Sequence, residues 1–238
     1  MVPLDVWVKK VREIKNKFDS VELGHYLFFR DPPRPCFVDP EVFYSPADGI
    51  ILYIKCVDSD DSLIEIKGVK YTLKDAMQMD LGIRALVIGI FMSQYDVHVN
   101  RVPIDSVLVE VKKLDSVKTR NLPMIYVEKD LVDLARVDVQ NKGDYLFANA
   151  RVLNRFLCTS CFFPYWILQI ADEDVDVISH FGGPYDFFHQ NKRFSFVRWG
   201  SQVDVVVPLV KGLKFKLLAK EEHHVSAGID GLFRLESV

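Results

Sequence analysis

Phe196-Val197-Arg198-Trp199-Gly200-Ser201-Gln202-Val203-Asp204-Val205 sets a Gly-Ser pair between two strand-like stretches. A pair so placed can cut itself. If the Ser201 hydroxyl attacks the carbonyl of Gly200, the peptide becomes an ester, and elimination leaves an unsaturated residue that hydrolyses to an N-terminal pyruvoyl group. A serine hydroxyl is a weak nucleophile until a base removes its proton, and an imidazole serves as that base only when a third group orients it. Two earlier runs supply such groups, Tyr44-Ser45-Pro46-Ala47-Asp48-Gly49 and Asp96-Val97-His98-Val99-Asn100-Arg101-Val102-Pro103. Asp48, His98 and Ser201 are therefore the candidate acid, base and nucleophile, and a pyruvoyl group made from Ser201 is the candidate cofactor. No metal is called for.

Outward from this run the chain reads mostly as strands, over 50–56, 62–67, 85–91, 107–113, 162–171, 194–199, 203–207 and 213–219. Their β-branched and aromatic content and the turn residues between them favour strands over helices. Residues 72–79 predict a short helix capped by Thr72, while 131–137 is ambiguous. Residues 2–18 place Val2, Val6, Trp7, Val8, Val11, Ile14 and Phe18 near helical spacing among five basic residues, the pattern of an amphipathic basic helix. Such a helix packs on its own domain or lies in a membrane interface with its cations near anionic headgroups. Arg30-Asp31-Pro32-Pro33-Arg34-Pro35 cannot continue a helix and reads as a linker, so 1–35 is expected to be an arm and 36–238 the main domain.

The chain has 238 residues, 49% of them hydrophobic, and a formal charge of −3. That is enough for a full core and gives no general attraction to nucleic acid, for which no signature motif is present. The longest mostly apolar stretches, 85–92 and 161–171, fall well short of the ~20 residues of a membrane helix, and the first residues lack a signal peptide's continuous apolar region. A reducing compartment is expected, in which the four cysteines need not form disulfides and Cys158-Thr159-Ser160-Cys161 is a pair of packed or incidental thiols.

Read together and in order, the three runs resemble the phosphatidylserine decarboxylase family, in its short form with the Asp-Val-His-Val-Asn-Arg signature. Phe28-Phe29-Arg30-Asp31-Pro32, Lys67-Gly68-Val69-Lys70-Tyr71-Thr72-Leu73 and Phe91-Met92-Ser93 are also similar to that family. The resemblance implies a β-rich α+β fold with a helical N-terminal arm and a lipoyl-carrier-like C-terminal hairpin region. It implies a self-processed, pyruvoyl-dependent enzyme that removes the carboxylate of phosphatidylserine as carbon dioxide, leaving phosphatidylethanolamine. His98 would act in both self-cleavage and proton relay. Arg30 and Arg101 are candidates for the substrate phosphate. The implied partners are the phospholipid and a membrane surface, met from the cytoplasm, with the two cleavage products staying associated; a homo-oligomer is left open.

The chain departs from the family where an Asn-Glu-Arg stretch is usual, offering only Asn149-Ala150-Arg151 or Leu153-Asn154-Arg155. After Ala171 it carries Asp172-Glu173-Asp174-Val175-Asp176 in place of a glycine and paired arginines, and Ser106 replaces a glycine after Asp105. These changes spare Asp48, His98 and Ser201 and bear on substrate recognition. The alternative function is accordingly a relative deficient in processing or decarboxylation that binds lipid surfaces. His223 and His224, in a charged tail segment, are expected to be solvated.

Overall fold

The computed structural model describes residues 1–19, 22–35, 37–58, 60–173, 178–197 and 200–236. Its first half contributes strands β1 (Val2–Pro3), β2 (Val42–Tyr44), β3 (Gly49–Val57), β4 (Ser62–Ile66), β5 (Val69–Thr72), β6 (Ala85–Met92), β7 (Val99–Arg101) and β8 (Ser106–Leu114). The second half contributes β9 (Arg151–Cys158), β10 (Pro164–Ala171), β11 (Ile178–His180), β12 (Phe187–Phe188), β13 (Arg193–Val197), β14 (Ser201–Pro208), β15 (Lys214–Leu217), β16 (His223–Val225) and β17 (Gly231–Glu236). The helices are α1 (Leu4–Lys15), α2 (Leu73–Met77), α3 (Ile125–Leu134), α4 (Val139–Lys142) and α5 (Tyr145–Ala148), with a π-helical turn over Leu23–Phe28. The fold is α+β and β-rich.

An antiparallel nine-stranded sheet in the order β1-β16-β3-β6-β14-β10-β9-β8-β12 forms the frame. Smaller sheets, β11-β13-β7 and β15-β17-β2, flank it. Side chains alternate across a strand, and here both faces are covered. Ala85, Val87 and Phe91 of β6 join the cluster beneath the helices, whereas Leu86, Ile88, Ile90 and Met92 join the cluster on the opposite side. Trp166, Leu168 and Ile170 of β10 divide from Tyr165 and Ile167 in the same way. Double coverage explains why the 85–92 run is continuously apolar rather than alternating, since each fully buried large side chain contributes roughly 1.5–3 kcal/mol whichever way it points.

The first strand of the run 196–205 ends at Val197, with Arg198 and Trp199 outside the described residues, and the second begins at Ser201. Thr72 caps α2 as the sequence predicts, accepting from the Asp75 N–H while the Asp75 carboxylate accepts from the Thr72 N–H. The ambiguous 131–137 segment is the end of α3, which stops where Ala135 adopts a left-handed φ of 50°. β9 has no counterpart in the sequence reading, because buried Arg151 and Asn154 interrupt its apolar pattern. At the N terminus Leu4, Trp7, Val8 and Val11 of α1 are buried in the core beneath the helices, leaving Lys9, Lys10, Arg12, Lys15 and Lys17 exposed. The amphipathic segment thus takes the first of its two courses and packs on its own domain.

Candidate active site

Gly200-Ser201 lies at the head of β14, in the middle of the large sheet. Ser201 pairs with Met92 of β6 on one side and Ala171 of β10 on the other. Gly200 has φ +39°, and a Cβ there would lie 2.3 Å from Asp172 Oδ2, so both backbone conformation and space call for glycine. Ser201 is fully buried, its hydroxyl donating to Met92 Sδ at 3.3 Å. Asn100, from the histidine run, donates to the same sulfur at 3.6 Å. A thioether is a weak acceptor, so the hydroxyl is held without being tied to a strong partner.

The next residue anchors the strand. Gln202 donates to Asp204 Oδ1 at 2.7 Å and to the Tyr53 hydroxyl at 3.0 Å, and accepts from Tyr145 at 2.6 Å. Tyr53 in turn donates to Asp204 Oδ2 at 2.7 Å, crossing over Gly89, where a Cβ would fall 2.4 Å from its ring. Burial pushes Asp204 up to about 6 against the hydrogen bonds of Gln202 and Tyr53.

His98 is completely buried beneath Phe28, with ring centroids 4.1 Å apart. Its Nδ1 lies 3.0 Å from the main-chain carbonyl of Asp96. A carbonyl only accepts, so Nδ1 carries the hydrogen and Nε2 the lone pair. Among the described residues that Nε2 is buried with no hydrogen-bond partner. Burial lowers the imidazole to about 4, against the opposing charge of Asp96, which keeps it neutral near pH 7. A neutral imidazole with a fixed tautomer and an open basic nitrogen is the form a general base requires.

Asp48 is placed close enough to act on His98 through its charge, but its direct partners are others. Arg34 grips both carboxylate oxygens at 2.6 Å, and the Ala227 N–H donates at 2.7 Å. Burial lowers Arg34, but its hydrogen bond to Asp48 and the charges of Asp48, Asp31 and Asp96 together outweigh this and the net shift is upward. Arg34 stands in the proline-rich linker, and only its place among residues that cannot fold back as a helix marked it. Arg30 donates to the carbonyls of Leu27 and Tyr95 at 2.7 and 2.6 Å; burial lowers it, with Asp96 and Asp48 opposing. Arg101 donates to the Asn191 carbonyl at 2.9 Å and pairs with Asp31 at 3.3 Å.

His224 corrects the sequence reading, which left it in solvent. Its Nε2 lies 2.7 Å from Asp96 Oδ1 and its ring stacks on Trp7 with centroids 5.8 Å apart. The short β16 carries it into the sheet between β1 and β3, a placement that a charged tail segment does not advertise. Glu128 of α3 was also overlooked: 7% exposed, it accepts from the Gln94 N–H at 2.9 Å, and burial raises it to about 7.

The departures have local partners. Asp172 accepts from the Met124 N–H at 2.8 Å and the Glu173 N–H at 2.6 Å, which fixes the loop before α3 against the glycine of the Gly-Ser pair. Asp174, Val175 and Asp176 lie outside the described residues. Asn149 donates to the Leu122 and Ala171 carbonyls, and Asn154 bridges the Ile167 carbonyl and Gln169. Gln169 continues to Asn100 at 2.6 Å. Ser106 accepts from the buried Tyr165 hydroxyl at 2.9 Å. Cys56, Cys158 and Cys161 are free, and no group of three metal-ligating side chains occurs among the described residues.

The chain is similar to known proteins over most of its length. A phosphatidylserine decarboxylase proenzyme from Cupriavidus pinatubonensis is 29% identical over 182 residues, covering 76% of this chain and 66% of that protein. A putative archaetidylserine decarboxylase proenzyme from Methanothermobacter thermautotrophicus is 29% identical over 183 residues, covering 76% and 69%. One from Methanocaldococcus jannaschii is 39% identical over 96 residues, 40% of this chain and 46% of that protein. The chain thus spans about half to two-thirds of the length of these relatives. The phosphatidylserine decarboxylase family model matches residues 21–230, a stretch that holds Asp48, His98 and Ser201 together, and the chain belongs to that family.

Proposed function

We propose that the chain is a proenzyme that cuts itself between Gly200 and Ser201 and then, through the resulting pyruvoyl group, decarboxylates a serine phospholipid, phosphatidylserine giving phosphatidylethanolamine. The observation that carries this reading is the fully buried Nε2 of His98, unpartnered among the described residues, with Nδ1 fixed on the Asp96 carbonyl. Such an orphaned acceptor costs about 1–3 kcal/mol, which a structural histidine would have no reason to bear.

The residues fit the group they would generate. His98 Nε2 takes the Ser201 proton as Oγ bonds to the Gly200 carbonyl carbon; the Gly200–Ser201 C–N bond then breaks and the proton passes to the leaving amine. Loss of the Ser201 α-hydrogen expels the Gly200 carboxylate, and hydrolysis of the unsaturated residue releases ammonia and leaves the pyruvoyl group. When formed, that carbonyl supplies the electron sink for loss of carbon dioxide. Asp48 supports positive charge developing on His98, and the cover of Phe28 excludes competing water.

The two pieces stay associated because β14 to β17, all beyond the cut, remain paired with β6, β10, β3 and β2. The antiparallel β15 and β17 form the lipoyl-carrier-like element of this reading. For the phosphate, Arg30 and Arg101 are the proposed contacts, with Arg30 the more exposed of the two. No helix among the described residues is long and apolar enough to cross a membrane. In this reading the lipid is met at a membrane surface from the cytoplasm, helped by the exposed basic residues of the N-terminal segment at about 1 kcal/mol each near anionic lipid.

The test is carbon dioxide release from phosphatidylserine vesicles by fully cut protein, with borohydride trapping an adduct on the 201–238 piece and binding that weakens with salt. Cut protein that gives neither carbon dioxide nor adduct refutes the decarboxylase reading and favours the lipid-surface binding protein.

A further inference from the structure

We propose that His224 is a positioning residue for His98, acting through Asp96; the inference rests on the self-cleavage reading above. Asp96 does two jobs at once. Its main-chain carbonyl fixes His98 Nδ1 at 3.0 Å, and its carboxylate is clamped from opposite sides. One oxygen, Oδ2, accepts from the Ser93 N–H at 2.9 Å and the Ser93 hydroxyl at 2.7 Å. The other, Oδ1, faces His224 Nε2 at 2.7 Å. Ser93 lies on the same turn as Asp96, so its bonds close that turn without fixing it to the rest of the molecule. Glu128 and Arg30 hold the main chain of that turn at Gln94 and Tyr95, whereas the Asp96 carboxylate is held from outside the turn by His224, which arrives from β16 and is itself backed by the Trp7 ring of α1.

The chemistry of the pair suits that task. The Asp96 and His224 side chains are only 3% and 13% exposed, so their charge-assisted hydrogen bond is stronger than a solvated one. Burial lowers His224, but Asp96 reverses the shift, and Asp96 is correspondingly lowered with His224 as the main favourable partner against burial. Without His224, a buried carboxylate would keep only its own turn for partners. The Asp96 end of the turn would then shift, and the carbonyl that selects the Nδ1–H tautomer of His98 would move with it. The link also crosses the scissile bond: Asp96 and His98 belong to the 1–200 piece and His224 to the 201–238 piece, so the anchor survives the cut as a contact between them.

The experiment compares cleavage rates of the parent, His224→Phe and His224→Gln by intact mass, each with its thermal midpoint measured in an uncut Ser201→Ala background. Phe keeps the ring against Trp7 but has no donor; Gln restores an N–H near the place of Nε2. His224→Phe should slow cleavage by about tenfold or more, the scale of losing a group that orients a catalytic ligand, and Gln should recover most of the rate. Equal rates for parent and Phe, or Phe and Gln equally slow, would overturn the proposal. Should Phe not fold, His224→Asn, one methylene too short to reach Asp96, replaces it with the same two outcomes. Nitrogen-15 imidazole spectra of the Ser201→Ala chain give a readout independent of cleavage. His98 should show a protonated Nδ1 that the Phe or Asn change perturbs and the Gln change does not; an unperturbed His98 signal overturns the positioning role even where the parent chain does not cut.

Discussion

Replacing Gly200 by alanine places a Cβ 2.3 Å from Asp172 Oδ2 on a backbone at φ +39°. The left-handed conformation alone costs a non-glycine residue about 1 kcal/mol. Relieving the clash requires the Asp172 carboxylate to swing away, which gives up its bonds from the Met124 and Glu173 N–H groups; at about 1 kcal/mol each this adds roughly 2. Denaturant unfolding in the uncut Ser201→Ala background should therefore show Gly200→Ala destabilised by about 3 kcal/mol. Asp172→Gly should cost about 2 by the same bonds. The double variant no longer has a carboxylate to displace, so its loss should fall short of the sum by about 2 kcal/mol. A Gly200→Ala chain within about 0.5 kcal/mol of the parent, or strictly additive changes, would refute the argument that Asp172 is built against the scissile glycine.

Arg34→Gln should leave Asp48 buried with the Ala227 N–H as its direct remaining partner and cost about 3–5 kcal/mol in unfolding experiments, as breaking one side of a buried pair does; a loss below about 1 kcal/mol would show that the pair contributes little. Glu128 is raised from 4.5 to about 7 by burial, so the native state favours its protonated form. That contribution to stability is fully present below pH 4.5 and is lost as pH rises through 7, amounting to about 3 kcal/mol. His98, lowered from 6.5 to about 4, has the opposite sign, its contribution being lost as pH falls from 6.5 through 4. Glu128→Gln should therefore gain on the parent between urea titrations at pH 5 and pH 8, and a constant difference between the two would contradict the assignment.

The strands of the large sheet were legible where both faces are apolar, as in 85–92, because a doubly covered strand reads as one unbroken hydrophobic run. β9 was not, since Arg151 and Asn154 are buried in it, Arg151 donating to the Leu146 carbonyl and Asn154 reaching the Ile167 carbonyl and Gln169 of the next strand. Asp48, His98 and Ser201 were legible as types in motif context, but their partners were not. The residue that orients His98 is a main-chain carbonyl, invisible in any side-chain pattern. His224 looked like part of a hydrated tail because a three-residue strand gives no periodicity to read. Likewise, the acid at 172 read as a lost cationic site, while in space it braces the Gly-Ser turn.

The intact-mass spectrum of the purified chain tests the central claim most directly. The account predicts two pieces, residues 1–200 and a 201–238 piece that begins with pyruvoyl in place of Ser201, with Ser201→Ala and His98→Ala remaining whole and Cys158→Ser cutting like the parent. A single full-length species after prolonged incubation, or a His98→Ala chain that cuts at the parental rate, would contradict it.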